Sequence, residues 1–175
     1  MIFDMVCRLR PDTLVLHSGC SDIMVSFKLS DIWLERAISF WKEEIARYGE
    51  KGVRVVIENI VEESPEALIA LVDEVGSEWL GLCLDVGHAH LRSPLKPGGW
   101  VEKMGKRLKH VHLHDNHGTT DEHLPVGKGT IDFDPFFTAL YEHAPDATVS
   151  LEVVAEPEAV VENLRMVIGT YRTKA

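Results

Sequence analysis

Histidine, aspartate and glutamate recur at the ends of short apolar runs in this chain. His17 closes TLVLH, Glu58 closes VRVVIE, Asp85 closes LGLCLD with His88 three residues on, His112 lies in KHVHLH, and Glu152 follows TVSL. Imidazole nitrogens and carboxylate oxygens are common protein donors to divalent cations. Taken singly, a histidine at the end of an apolar run is ordinarily a hydrogen-bonded rim residue. A single carboxylate there ordinarily caps a helix. Five separate segments ending in this way need a common explanation. Carboxylates gathered without a cation repel one another, and burying them unpaired is costly. A divalent metal removes that conflict. A mixed histidine and carboxylate set suits manganese, magnesium, zinc or cobalt without choosing among them.

The elements that must position these residues follow from hydrophobic patterning. TLVLHSG, VRVVIENI, LGLCLDVGH, KHVHLHD and ATVSLEVV read as strands. Between them, SDIWLERAISFWKEEIARYG places Leu34, Ile38, Trp41, Ile45 and Tyr48 on one helical face, with Ser30 as expected N-cap and Gly49 near the stop. SPEALIALVDEVG opens with Ser64 and Pro65 and stops at Gly76, and DPFFTALYEHA repeats the device with Asp134 and Pro135. GWVEKMGKRL is a weaker helix interrupted by Gly105, and EPEAVVENLRMVIGTYR is a final helix. Strands alternating with helices mean βα units and a parallel sheet, and runs apolar throughout are those of strands covered on both faces. In parallel sheets the C-terminal strand ends share one edge, which in barrels carries the active site. No GxGxxG or GxxxxGK[ST] follows a strand, and GKGT at 127–130 is no phosphate loop.

Composition sets the boundaries. The chain has 175 residues, enough for one domain with a real core, and a net charge of -10 that argues against a nucleic-acid partner. No apolar run approaches a membrane span, and MIFDMVCRLRPD lacks the features of a secretory leader. Cys7, Cys20 and Cys83 are odd in number and form no CxxC pair, so reduced thiols and a cytoplasmic location are expected.

The motifs LVLHSG, VIENI, LDVGHAH, HVHLHDN, DEHLPVGKGTIDF and SLEV together, in this order, resemble the xylose-isomerase-like barrel superfamily, which includes sugar isomerases and epimerases and the endonuclease-IV-type repair enzymes. The resemblance implies an α/β fold of the (β/α) TIM-barrel type. It implies a metal core of Glu58, Asp85, His112 and Glu152, with Glu58 and Glu152 also the catalytic acid–base pair. His17 and His88 become candidate substrate contacts, and His17, His88, Asp121 and His123 a possible additional metal set; Lys128, in the loop that follows, is a candidate contact for a substrate phosphate or carboxylate. His110, His114 and His117 are expected to be wall groups or groups that bond a ligand from behind, and the glycine-punctuated loop 115–133 a wall or lid of the site.

The activity this implies is metal-dependent isomerisation or epimerisation of a small carbohydrate, free or phosphorylated, through an enediolate. Two alternatives stand beside it. One is an endonuclease-IV-like zinc phosphodiesterase acting on abasic DNA, and the other a catalytically impaired barrel fragment serving as a binding or assembly module. The family barrel has eight βα units, whereas residues 1–175 hold about five as a single partial barrel domain truncated at its N-terminus. Open sheet edges invite association, so a homo-oligomer or a barrel-completing partner is expected.

Overall fold

The computed structural model describes residues 2–27 and 29–174, with side chains as far as residue 170. Five strands form one sheet in the order β1-β2-β3-β4-β5: β1 Thr13–His17, β2 Arg54–Glu58, β3 Leu80–Asp85, β4 Leu108–Leu113 and β5 Thr148–Leu151. Every neighbouring pair is parallel. Helices make each crossover: α1 Ile2–Leu9 precedes β1, then come α2 Asp22–Ser26, α3 Ser30–Gly49, α4 Glu66–Val75, α5 Val86–Arg92, α6 Pro97–Met104, α7 Phe133–His143 and, after β5, α8 Pro157–Lys174. This is the βα progression of a partial TIM barrel, the expected architecture.

The sheet's central strands are covered on both faces. Val55, Val56 and Ile57 of β2 and Leu82 and Leu84 of β3 are fully buried, so these runs can be apolar without alternation. Trp41, Ile45 and Tyr48 of α3, Leu68 and Leu71 of α4, Trp100 and Met104 of α6, and Phe136 and Phe137 of α7 join them in one core. Among the described residues no helix is long and apolar enough to cross a membrane.

Several boundaries differ from the sequence expectation, each for a local reason. Ser30 is the first residue of α3 rather than its cap, since Leu29 holds the cap position without a side-chain bond. Asp132, not Asp134, caps α7, its carboxylate accepting from the Asp134 amide. Gly105 ends α6 instead of interrupting it: with φ 53° it turns the chain into a short 3-10 segment before β4. Gly76 stops α4 as expected, at φ 64° in the left-handed region. The run LGLCLDVGH leaves the sheet at Asp85, because that side chain accepts from the His88 amide and so starts α5 at once.

One irregularity sets the register of the functional edge. β3 advances from Leu82 to Cys83 while β4 advances from Leu108 to His110, so Lys109 is an extra residue. Beyond it, Asp85 lies beside His112. Gly81 lies against this bulge: a Cβ there would stand 2.6 Å from Lys109 Cγ and 3.2 Å from the Arg107 carbonyl oxygen. Gly81→Val is therefore expected to lower stability by about 1–3 kcal/mol through overpacking. Urea denaturation should show this as a lowered midpoint.

Candidate metal centre

The parallel topology delivers four donors to the C-terminal edge of the sheet. Glu58, Asp85, His112 and Glu152 each offer one ligand atom, and these atoms lie within 4.8 Å of one another. His112 Nδ1 is the common point. It stands 2.9 Å from Glu152 Oε2, 3.3 Å from Glu58 Oε1 and 4.0 Å from Asp85 Oδ2. Burial works against a charged His112 ring, but the hydrogen bond to Glu58 and the charges of Glu58, Glu152 and Asp85 outweigh it, and its pKa rises. Burial likewise raises the Asp85 carboxyl, yet the hydrogen bond from His114 and the adjoining histidines hold it below its ordinary value. Cys83 lies in the same strand as Asp85, fully buried, and burial together with the Glu58 and Asp85 charges pushes its thiol well up. It stays protonated beneath the centre.

The donor set fits a divalent cation. Three carboxylates face a single nitrogen, and Glu58 and Asp85 are buried. Within the cluster the counterpart of these charges is His112, whose pKa they raise, at the point where a cation would stand. The two glutamates differ in setting: the Glu58 side chain is 4% exposed and that of Glu152 46%.

A second group lies beside the first. His114, Asp121 and His123 also bring ligand atoms within 4.8 Å of one another. His88 adjoins them, its Nδ1–H donating to the Asn59 carbonyl at 3.0 Å and its Nε2 3.1 Å from Asp121 Oδ2. Asp121 and His123 arrive from the long loop after β4, and Asp115 folds that loop back. The Asp115 carboxylate is buried and accepts four amides: Asn116 and Ile131 on Oδ1, Gly127 and Gly129 on Oδ2. Its backbone pairs both ways with Leu124. Gly129 is obligatory, since a Cβ would come 2.4 Å from the Asn116 carbonyl oxygen. His123 is held at φ 49°, a conformation most side chains avoid, by its Nδ1–H to the Glu152 carbonyl at 2.7 Å.

The sequence-derived candidates divide accordingly. Glu58, Asp85, His112 and Glu152 meet, and so do His88, Asp121 and His123. His17 comes only to 3.9 Å from Glu58, with its ring 72% exposed at the open sheet edge. Lys128 lines a separate cavity of about 370 Å³ with Pro125, Glu162, Asn163 and Met166, against α8. His114 takes the second of its two expected places, behind a candidate ligand. Strand alternation puts it on one face with His110 and His112. In the structure β4 ends at Leu113, and His114 turns in to become fully buried against Asp85. The signal available in sequence is Gly87, whose missing side chain makes room for this ring: a Cβ there would lie 2.0 Å from His114 Cε1.

Fold and site together define a partial parallel α/β barrel with a histidine–carboxylate centre at its strand ends. The family model described as "Xylose isomerase-like TIM barrel" matches residues 5–169, and the chain belongs to that family. An uncharacterised protein of Methanocaldococcus jannaschii, MJ1311, is 32% identical over 154 residues, which is 83% of this chain and 52% of that protein. A crystal structure of a D-tagatose 3-epimerase-like protein superposes with a TM-score of 0.82 at 27% identity, covering 99% of this chain and 67% of that one. The TTHB071 protein of Thermus thermophilus, soaked with ZnCl2, gives a TM-score of 0.71 at 28% identity, over 95% of this chain and 65% of that one. The chain spans about half the length of the curated relatives it matches.

A cation held on His112 Nδ1 would compete with a proton there, so affinity should grow with pH until the raised pKa of that ring is passed. The sign for the metal-free protein is opposite. A raised histidine pKa stabilises the fold fully below the ordinary value, and this contribution is lost as pH rises through the folded one. The rise in melting temperature on adding zinc is therefore expected to be larger at pH 8 than at pH 6. Calorimetric or fluorescence melts with zinc and with chelator measure it.

Proposed function

We propose that this chain carries the metal centre and the acid–base pair of a sugar, or sugar phosphate, isomerase or epimerase. The observation behind the reading is that two glutamates, one ending β2 and one following β5, both come within 3.3 Å of His112 Nδ1. A bound divalent cation, held by Glu58, Asp85, His112 and Glu152, would supply polarisation of a carbonyl and its neighbouring hydroxyl. Manganese, magnesium, zinc and cobalt all suit this set. Family membership and a neighbour described as D-tagatose 3-epimerase-like support a carbohydrate as substrate.

The chain's own residues then do the proton work. Glu58 and Glu152 take a proton from carbon and return one at the neighbouring carbon or the other face. Their separate strands let them flank a bound ketose. Glu152, half exposed, exchanges protons with solvent, whereas Glu58 is shielded. Asp85 and His112 hold the centre in shape. His88 and His17 offer hydrogen bonds to substrate oxygens from the rim, and Lys128 would act on a substrate phosphate or carboxylate only if the loop that bears it turns toward the centre.

A hydrolytic reading, a zinc phosphodiesterase for abasic DNA, is favoured by one observation, the gathering of His88, Asp121 and His123 into a second donor group. The net charge of -10 weighs against a polyanionic substrate. The metal-loaded protein should epimerise or isomerise members of a ketose panel in D2O, with deuterium entering at carbon by NMR. Glu152→Gln and Glu58→Gln should each lower the rate by about 100- to 10,000-fold while circular dichroism is unchanged. Incision of abasic DNA without any carbon exchange would transfer the assignment to the hydrolytic class.

The same reading includes a closing partner, a second copy or a barrel-completing chain. Among the described residues β1 and β5 each have one unpaired edge. Beside β1, Val15, Leu16, Met24, Trp33, Phe40 and Trp41 line an open cavity of about 690 Å³. Light scattering is expected to give a mass above one chain, and a well-folded monomer would count against this.

A further inference from the structure

The opposite end of the sheet carries the opposite charge. Over the whole chain acidic residues outnumber basic ones, 28 to 18. Yet where β2, β3 and β4 begin, an open cleft of about 550 Å³ is lined by Arg54, Lys106, Arg107 and Lys109, with Asp73 and Glu78 as its carboxylates. Arg54 opens β2 and Glu58 closes it, so at about 3.3 Å per residue their backbones stand roughly 13 Å apart. The cleft is separate from the metal centre.

The fold compensates one of these cations. Arg107 donates to Asp73 through two nitrogens, Nε to Oδ1 at 2.5 Å and Nη2 to Oδ2 at 2.8 Å. Those bonds hold the Asp73 carboxyl below its ordinary value, so Asp73 is committed to Arg107. Among the described residues Arg54, Lys106 and Lys109 have no ion-pair partner. Arg54 gives the sharper sign, because its Nε is buried and has no acceptor. A buried N–H left unpaired costs free energy, and native structures keep few of them. Ser77, on the same cleft, accepts from the Trp79 amide through Oγ and keeps its own hydrogen to donate.

We propose that this cleft, at the N-terminal end of the sheet, is a seat for the phosphate group of a small ligand, with Arg54 and Lys109 as its principal contacts. A phosphate monoester brings a charge of about -1.5 to -2 and three strong acceptor oxygens. That matches three unpaired cations and an orphan donor better than a single carboxylate does. The guanidinium supplies directed N–H groups and the ammonium a point charge. Lys109 is also the bulge residue that sets Asp85 beside His112. The occupant therefore grips the residue that fixes the register of the far edge, while making no contact there.

The test uses the full chain, stripped of metal with chelator and dialysed, so that the metal centre takes no part. Inorganic phosphate and pyrophosphate are the probes, with sodium chloride at matched ionic strength as control. Calorimetry should show one binding event per chain, tighter for pyrophosphate, and 1H–15N spectra should show the Arg54 Nε–H resonance moving with it. Arg54→Met removes the buried donor and keeps the apolar stem. It should melt no lower than the wild type in chloride, yet bind phosphate about 10-fold more weakly or worse. Lys109→Met should also weaken binding, whereas Lys42→Met, which removes an exposed cation from α3, should leave it unchanged. Absence of phosphate binding by the wild type overturns the seat, and so does an equal loss in Lys42→Met. Should Arg54→Met fail to fold, the wild-type spectra decide, and an unmoved Arg54 Nε–H at saturating phosphate overturns the proposal. Duplex DNA that displaces pyrophosphate, with affinity falling steeply as salt rises, would overturn the assignment to a small ligand.

Discussion

Like charges brought together at one edge of a parallel sheet are the constraint from which the rest of this molecule follows. Glu58, Asp85 and Glu152 come from different strands, and a parallel sheet sends all of their ends the same way. Glu58 and Asp85 are buried, and carboxylates gathered there need compensation. Each compensating device is visible. His112 places one nitrogen among all three. Asp85 spends one oxygen on the first turn of α5, where amides point outward and favour negative charge. The bulge at Lys109 carries β4 one residue further, so that His112 rather than Val111 stands beside Asp85.

A second layer of buried polar groups keeps this arrangement rigid. His114 bonds both oxygens of Asp85, leaving Oδ2 the oxygen nearest His112. Gly87 leaves the space for that ring, and Asn116 fastens to the Gly87 carbonyl from the other side. Asp115, next in the chain, does the same service for the loop, gathering amides from both of its arms. Asn163 of α8 then holds Val126 through both backbone groups. The loop that delivers Asp121 and His123 is thus fixed from the sheet and from the last helix. Side-chain acceptors replace the strand pairing that its sequence cannot make.

Much of this is legible in the sequence, and the failures have definite causes. Apolar runs closed by a donor residue suffice to place Glu58, Asp85, His112 and Glu152 at one edge, because strand direction alone decides it. The full burial of His114 escapes because alternation carries one residue past the strand, and nothing local marks Leu113 as the end. The cue lies well upstream, in the missing side chain of Gly87. The start of α5 reads as strand because Val86 and Gly87 have no helical preference, and it is the Asp85 cap that decides. Lys128 enters the candidate set as a cation in the loop expected to wall the site, able to meet a substrate phosphate or carboxylate. Its local sequence says only that it sits in a tight turn, and the turn faces α8.

The two glutamates show how position on the sheet sets chemical character. Glu58 ends a central strand, between β1 and β3, and both of its neighbours shield it. Glu152 follows β5, which is paired on one side only, and its amide bonds the Leu113 carbonyl while its side chain meets solvent. A proton taken by the shielded group has few routes out, whereas one taken by the exposed group is lost to water quickly. If the pair does the proton work proposed here, retention of the abstracted proton belongs to Glu58 and exchange with solvent to Glu152. The same asymmetry applies to the rim. His17 lies on the outer strand β1 and is the most solvent-exposed of the candidate histidines whose rings face Glu58. Cover over the β1 edge would dry His17 and shift it from a solvated group to one able to grip a substrate oxygen, so the state of that edge bears directly on the chemistry at the centre.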